Sequence, residues 1–132
     1  MYLIDTQSRK VVGAQTHSSM EQTVVYNESL NRAVKKHKPY TLISIHNHPE
    51  SKPPSGSDLS SCFMRKYKKG IIVCHNGDIY TYVTSLKPLP ANLFDMTVDK
   101  YKKLHYNKGE TYAYEMALKQ FEQSHGIKWE VR

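Results

Sequence analysis

Residues 41–58 read TLISIHNHPESKPPSGSD, and this stretch decides the fold. Its first part, 41–46, carries little polar content, which is typical of a strand in the middle of a sheet. Its second part, 47–57, contains three prolines and a glycine, which indicates a loop. Either Ser57 or Asp58 can then begin a helix, because both side chains suit an N-cap. The stretch therefore predicts a buried strand, a loop and a helix in that order.

The segments on both sides alternate between strand-like and helix-like patterns. In chain order we predict strands at 2–4, from 11, and at 23–26; a helix capped by Asn27 and stopped by Pro39; the strand at 41–46; a helix that runs to about Lys69 and is ended by Gly70; strands at 71–74 and 78–83 joined by Asn76-Gly77; a connector at 86–96 that prolines interrupt; helices at 98–105 and 110–125; and a last strand at 127–131. This order predicts an α/β (α+β) fold with a mixed sheet.

The length and composition fit a single domain. The chain has 132 residues, of which 39% are hydrophobic and 23% are charged, so the composition excludes an intrinsically disordered chain. No apolar run approaches the roughly 18 residues of a membrane span, and the opening residues MYLIDTQSRK lack the pattern of a signal peptide. The two cysteines, Cys62 and Cys74, are too few for a disulfide framework. We therefore expect a cytoplasmic protein with both thiols reduced and no membrane partner.

The chain is basic, with 19 Lys and Arg against 12 Asp and Glu and a formal net charge of +7. The positive residues cluster at 35–38, 65–69 and 100–108. A basic surface can bind phosphate backbones by releasing counterions. The same clusters also fit helix ends and solvated helix faces. Charge alone therefore favours a solvated surface and leaves nucleic-acid binding as an alternative.

His46, His48 and Asp58 form the pattern that carries chemistry. Residues i and i+2 of a strand point to the same side, so the two imidazoles can converge on one point. Asp58 follows His48 by ten residues, at a helix start, and can supply a third ligand across the loop. Two His and one carboxylate leave the fourth position of a tetrahedral zinc open for water, which is the catalytic arrangement. The alternative, that these are loop histidines and an N-cap aspartate, fits the full pattern less well, and we predict a zinc site.

The residues His46-Asn47-His48-Pro49, Ser55 and Asp58 resemble the JAMM motif of the JAB/MPN metalloproteases. Their His-Asn-His-Pro form is similar to that of RadC-like and phage- or toxin-associated bacterial members. The resemblance implies a three-layer MPN-type fold, in which a mixed sheet lies between helices. It also implies a zinc ion held by His46, His48 and Asp58, and a Ser55 that helps to position or stabilise an oxyanion.

The resemblance covers about residues 1–85, with 86–132 as a looser helical extension of one domain, 1–132. It has two departures from the family pattern. The gap of six residues between His48 and Ser55 is one residue shorter than the usual gap. The family's general-base Glu lies just before or at the start of the first strand, where this chain has no Glu.

Three glutamates are the internal candidates for the missing base. Glu21 and Glu28 are the nearest upstream of the motif, although Glu28 also suits the first turn of a helix for helix-dipole reasons. Glu50 lies in the loop itself, where we expect it to face solvent. Two alternatives stay open: the base is a residue upstream of Met1, or the domain is not a hydrolase.

The predicted function is that of a zinc-dependent peptidase or isopeptidase, in which zinc-activated water hydrolyses a peptide or protein-conjugate substrate in a bacterial or phage-infected cell. One alternative is a catalytically weak, zinc-stabilised binding domain of a phage structural or toxin protein. Another is a RadC-like nucleic-acid-associated factor, which only the basic charge favours. The sequence does not specify an oligomeric state.

Overall fold

A computed structural model describes residues 1–16 and 26–132, so most of the strand predicted at 23–26 lies outside the described residues. The strands are β1 (Tyr2–Asp5), β2 (Lys10–Ala14), β3 (Leu42–His48), β4 (Lys69–Cys74), β5 (Ile79–Val83) and β6 (Lys128–Val131). The helices are α1 (Glu28–Lys36), α2 (Gly56–Met64), α3 (Ala91–Leu104) and α4 (Glu110–His125), with a short 3-10 helix at Tyr106–Lys108. In this part of the chain the strands form one sheet in the order β2-β1-β3-β4-β5-β6. Only β3 and β4 pair in parallel, which confirms the predicted mixed sheet and α+β class.

Several local signals act as the sequence predicts. The Asn27 side chain caps α1 by accepting a hydrogen bond from the Leu30 N–H at 2.9 Å. The Asn76-Gly77 pair joins β4 to β5, and Gly77 has a φ of 96°, which glycine adopts without strain. Helix α4 ends at His125, and Gly126 follows in the left-handed conformation.

Helix α2 is shorter than predicted, and the interpretation of Gly70 as its end is wrong. The helix stops at Met64, and Lys66 then adopts a φ of 54°, which is incompatible with further helix. This turn buries Tyr67, whose N–H donates to the Cys62 carbonyl at 3.1 Å. Gly70 instead lies inside β4, where the ring of Tyr82 from β5 packs directly over its backbone. The glycine is required by a close approach within the sheet rather than by a helix end.

The close approach at Gly70 leads to a stability prediction. A Cβ at this position would overlap the Tyr82 ring, and Tyr82 is buried, so the ring has no space into which to move. We expect Gly70→Ala to lower the free energy of unfolding by about 1–3 kcal/mol or more, as overpacked cores do. Urea denaturation measures the difference. Lys69→Ala, one residue earlier in β4, is the matched control, and equal losses in the two variants would contradict this explanation.

Helix α3 begins earlier and strand β3 ends later than predicted. Pro90 is the N-cap residue of α3, so the prolines that indicate a connector in fact lead directly into a helix. The additional turns bury Phe94, whose ring meets that of Phe121 on α4 edge to face at a centroid distance of 5.1 Å. Strand β3 continues to His48 because it keeps its pairing with β4 as far as Cys74.

The described helices cover one face of the sheet, whereas the expected three-layer arrangement has helices on both faces. One row of paired residues crosses all six strands on the covered face: Gly13, Leu3, Ser44, Gly70, Tyr82 and Trp129. Gly13 lies against Ala33 of α1. On the same face the Tyr80 hydroxyl donates to Glu115 of α4, and Cys62 of α2 contacts the chain just after β5 through Thr84. The residues of β3 and β4 that alternate with this row, such as Ile45 and Ile71, are only half-buried. The described residues therefore form two layers, with the core between the sheet and the helices.

The segment 86–132 contributes to the same sheet and core. It supplies α3, α4 and β6, and β6 pairs antiparallel with β5. The buried residues Phe94, Leu118 and Phe121 of this segment belong to the same hydrophobic cluster as Leu59 and Ile72. Among the described helices, none is both long enough and apolar enough to cross a bilayer.

Candidate metal centre

The two histidines of the motif lie at the carboxyl end of β3. This end stays ordered as a strand because His46 and His48 lie opposite Ile72 and Cys74 of the parallel strand β4. Since residues i and i+2 share a face, both imidazoles project to the side that the helices cover. Their ring centroids are 4.9 Å apart, in an edge-to-face arrangement. The two side chains thus converge as the strand spacing predicts.

Asp58 reaches the same point from the first turn of α2. Ser55 is the N-cap residue of this helix, and the two residues form a capping box. The Asp58 N–H donates to Ser55 Oγ at 3.2 Å, and the Ser55 N–H donates to Asp58 Oδ2 at 2.9 Å. The Ser55 hydroxyl also donates to Oδ2 at 3.0 Å. Ser55 therefore positions Asp58 in this structure, whereas its oxyanion role stays a prediction.

The side-chain atoms of the three residues that could bind a metal lie close together. His46 Nε2 lies 3.1 Å from Asp58 Oδ1, His48 Nε2 lies 3.2 Å from Asp58 Oδ2, and the two Nε2 atoms are 3.1 Å apart. Asp58 thus presents a different oxygen to each histidine, and one ligand atom from each residue lies within 4.8 Å of the other two. A tetrahedral zinc ion with bonds of about 2.0–2.2 Å places neighbouring ligand atoms about 3.3–3.5 Å apart, which is within a few tenths of an ångström of the separation of the two Nε2 atoms. The three residues could therefore hold a metal ion, and their donor types suit zinc.

The surroundings of His48 fix the nitrogen that faces the cluster. Its Nδ1 atom lies 2.7 Å from the Lys52 carbonyl oxygen, so Nδ1 carries a hydrogen and donates it. Neutral His48 therefore presents the lone pair of Nε2 toward His46 and Asp58. A backbone carbonyl that holds the outer imidazole nitrogen in this way is typical of metal-ligating histidines. His46 Nδ1 is buried and has no hydrogen-bond partner among the described residues, so packing and Asp58 hold that ring.

The electrostatics of the cluster favour a bound cation. Burial alone would raise the pKa of Asp58, but hydrogen bonds from His46 and His48 outweigh burial and hold that pKa well below its usual range. Burial also works against charge on His48, but Asp58 outweighs it and raises the pKa of His48 above its ordinary 6.5. A carboxylate anion between two imidazoles thus attracts positive charge, either as a proton or as a metal ion.

The raised pKa of His48 predicts how zinc affinity depends on pH. Below this pKa, Nε2 of His48 holds a proton that must leave before a metal can bind, so apparent affinity falls with decreasing pH. We expect a plateau above the His48 pKa and a loss of at least about tenfold per pH unit below it, since at least one proton is displaced. Zinc titrations of the apoprotein in a pH series measure this dependence. Equal affinity between about pH 8 and about pH 5 would contradict a histidine-held metal.

The cluster lines an open cleft of about 980 Å³ whose far wall comes from the C-terminal segment. Asp95, Asp99 and Lys102 of α3 and Tyr114 of α4 line this wall, and the sequence motif predicts none of them. Asp95 and Asp99 are one helical turn apart. Residues four positions apart share one face of a helix, so this spacing is a signal that both carboxylates line the same surface. The signal was missed because the helix was predicted to begin at 98 rather than at Ala91.

Asp95 connects this wall to the metal centre. Its Oδ1 atom accepts the Gly56 N–H at 3.0 Å, which places it beside the residues that hold Asp58. Partial burial raises the pKa of Asp95 above its ordinary value. The charges of Asp99 and Asp58 add to this shift, while the Gly56 N–H opposes it. Within the described residues, Asp95 Oδ2 has no hydrogen-bond partner, and Asp95 lines the cleft.

Ion pairs tie the loop after His48 to the far wall. Lys52 Nζ lies 2.8 Å from a Glu50 carboxylate oxygen and 3.6 Å from Glu110 Oε1, which Lys102 also approaches at 2.9 Å. The Lys52 carbonyl orients His48, which is one of the predicted metal ligands. By holding Lys52 in place, the ion pairs therefore also support the orientation of His48. The pairs are partly exposed, so solvent screens them and we expect each to contribute little to overall stability.

The three glutamates predicted as candidates for the general base differ in their position relative to the cleft. Glu28 is exposed on α1, forms an ion pair with Arg32 and does not line the cleft, so it is not brought to the metal centre. Glu50 lines the cleft but is largely exposed and paired with Lys52. Glu21 lies outside the described residues. Cys62, one turn after Asp58, is buried, and burial raises the pKa of its thiol to about 11, so it is a core residue rather than a thiolate ligand.

Comparison of the chain with protein-family models, with curated proteins and with solved structures gives no match. The assignment of a function therefore depends on the geometry of the metal centre and its cleft.

Proposed function

We propose that this protein is a zinc-dependent hydrolase of peptide or isopeptide bonds. The observation that carries the proposal is the His46, His48 and Asp58 cluster, whose ligand atoms lie within 4.8 Å of one another at an open cleft. Three protein ligands facing open space are the arrangement of catalytic rather than structural zinc sites. The substrate class and an MPN-type fold come from the JAMM resemblance, and the two-layer packing of the described residues departs from that fold.

The residues of the cleft have separate roles in this proposal. His46, His48 and Asp58 would hold the metal, which supplies a Lewis acid and lowers the pKa of bound water. Ser55 keeps the Asp58 carboxylate in place through two hydrogen bonds to Oδ2. The Lys52 carbonyl keeps His48 in the tautomer that binds through Nε2. The cleft is large enough to take an extended segment of a peptide substrate.

Amide hydrolysis also needs a group that takes a proton and returns it to the leaving amine. Among the described residues, the carboxylates that line the cleft besides Asp58 are Glu50, Asp95 and Asp99. We assign proton transfer to Asp95, because its raised pKa is typical of acid–base groups and its Oδ2 atom has no partner among the described residues. Its bond to the Gly56 N–H would hold it beside the metal-binding helix.

The second candidate function is a zinc-stabilised binding domain without catalysis. The position of Glu28 away from the cleft favours it, since Glu28 is one of the glutamates expected to act as the base. The nucleic-acid alternative receives less support. In the cluster at 100–108, Lys102 is paired with Glu110, and Lys100 and Lys108 lie over tyrosine rings.

A hydrolysis assay separates catalysis from binding alone. Zinc-loaded protein is incubated with a peptide library and with lysine-linked protein conjugates, and new amino groups are counted. We expect release that requires zinc and that disappears in His48→Ala. Binding of the same substrates without any release would instead support the binding domain.

Removal of the metal should weaken the fold without unfolding it. The core of Leu3, Leu59, Phe94, Phe121 and their buried neighbours does not include the metal ligands. Zinc at 100 to 1,000 times its Kd adds about 3–4 kcal/mol to the free energy of unfolding. We therefore expect a chelator to lower Tm by about 10–20 °C for a domain of this size, while far-UV circular dichroism at 25 °C stays that of a folded protein. Loss of all secondary structure on chelation would contradict this expectation.

A further inference from the structure

The sheet has an apolar face that none of the described helices covers. Its apolar residues alternate with the helix-facing row and come from five strands: Tyr2, Ile4, Val11, Ile43, Ile45, Ile71, Val73, Ile79 and Val83. None of them is buried, and five of them expose between 38% and 57% of their surface. The interior of a sheet is normally the most buried part of a domain. Half-buried isoleucines on the central strands β3 and β4 therefore indicate a surface that the described residues leave uncovered.

The size of this face matches what a stable interface needs. Six strands about 4.8 Å apart, with three rows of side chains about 7 Å apart, make a surface of roughly 25 by 20 Å. The apolar side chains present on the order of 500 Å² of accessible surface, which is at the upper end for a monomer. With its polar rim, the face approaches the roughly 800 Å² per partner that standard interfaces bury.

The charge distribution favours a second copy of this chain as the partner. The protein carries a net charge of +7, which opposes self-association over most of its surface. On the strands of the open face, however, the charged residues are Lys69, Lys128 and Glu130. Two of the 19 Lys and Arg residues lie there, and one acidic group offsets them. This face is therefore a place where two copies can meet with little repulsion, and a two-fold arrangement can bring Glu130 of one copy near a lysine of the other.

We propose that the protein forms a homodimer in which two sheets pack face to face through this surface. Sheets packed in this way lie about 10 Å apart, with their side chains interdigitated. His46 and Ile45 are neighbours in β3 and point to opposite faces, so both metal clefts of the dimer face outward. The inference does not depend on the proposed hydrolase activity.

Sedimentation equilibrium or light scattering of the full chain tests the proposal. We expect a mass twice that of the 15.3 kDa monomer. We also expect a dissociation constant of the dimer below the ~1–100 µM range that is typical of weaker dimers. In the double variant Val73→Glu/Ile79→Lys, the two residues are cross-strand partners, so opposite charges preserve the hairpin but interrupt the apolar face. Its dimer should dissociate at least ~10²-fold more readily, because the charges would be desolvated at the interface.

The matched control places the same two charges on exposed apolar residues away from the sheet, Leu86→Glu and Leu104→Lys, and should remain a dimer. If the double variant loses its far-UV spectrum, Val11→Glu on the edge strand β2 tests the same face with less risk to the fold. A monomeric wild-type protein would overturn the proposal, and a different protein would then be the candidate partner of this face. A dimer that survives both face variants, or one that a chelator dissociates, would also overturn it.

Discussion

Replacing His48 with alanine is expected to abolish stoichiometric zinc binding. The substitution removes one of three protein ligands and leaves His46 and Asp58, whose remaining ligand atoms are 3.1 Å apart. If about 10–16 kcal/mol of binding energy is shared among four ligands, one ligand contributes about 2.5–4 kcal/mol, or roughly 10²–10³-fold in Kd. Metal analysis after gel filtration without chelator should fall from about one zinc per chain to a trace. Hydrolysis, if zinc-dependent as proposed, should fall with it.

His75→Ala is the matched control for this experiment. His75 is an exposed histidine of the turn between β4 and β5, close in sequence to Cys74, and it does not belong to the cluster. Its variant should keep the zinc content of the parent protein. If both variants keep the full zinc content of the parent protein, the metal is held elsewhere in the chain.

Asp95→Asn is expected to reduce kcat by about 10²–10⁴-fold, the usual contribution of a general acid–base group. The amide keeps an oxygen that can accept the Gly56 N–H, so the contact between α3 and α2 is preserved. It cannot take up a proton in the neutral pH range. Zinc content and KM should therefore change little while kcat falls, and steady-state kinetics at equal zinc occupancy measure this difference.

Asp99→Asn provides the comparison, because Asp99 lines the same wall one helical turn away, whereas the hydrogen bond to α2 comes from Asp95. Its kcat should stay within a few-fold of the parent value. Equal activity of Asp95→Asn and the parent protein would move proton transfer to another group, with Glu50→Gln as the next variant. No hydrolysis in any of these proteins, including the parent, would instead contradict the proposed function itself.

The three residues of the candidate metal centre could be predicted because short-range rules place them. The period of a strand puts His46 and His48 on one side, and N-cap preferences put Asp58 at a helix start, although the structure has the cap at Ser55 rather than at Ser57 or Asp58. Both rules involve residues no more than three positions apart. Asp95 could not be predicted in the same way, because its contact with Gly56 spans 39 residues and depends on how α3 packs against α2.

The short-range rules gave wrong predictions where a glycine or a proline suits two different structural roles. Gly70 fits a helix end from its neighbours alone, but the structure uses it to admit the ring of Tyr82 from the next strand. Pro90 fits a connector, but it begins a helix whose buried residues face α4. In both cases the deciding contact comes from a different element, which the local pattern does not contain.

The sequence by itself determined the order of strands and helices, the α+β class and the residues able to bind a metal, because each follows from spacing and capping within a few residues. Only the tertiary structure decided which face the described helices cover, that carboxylates of α3 line the cleft, and that Glu28 lies away from it. These features depend on the packing of elements far apart in the chain. A helix that can cover either face of a sheet has the same local pattern in both cases, and contacts with the whole core select the face.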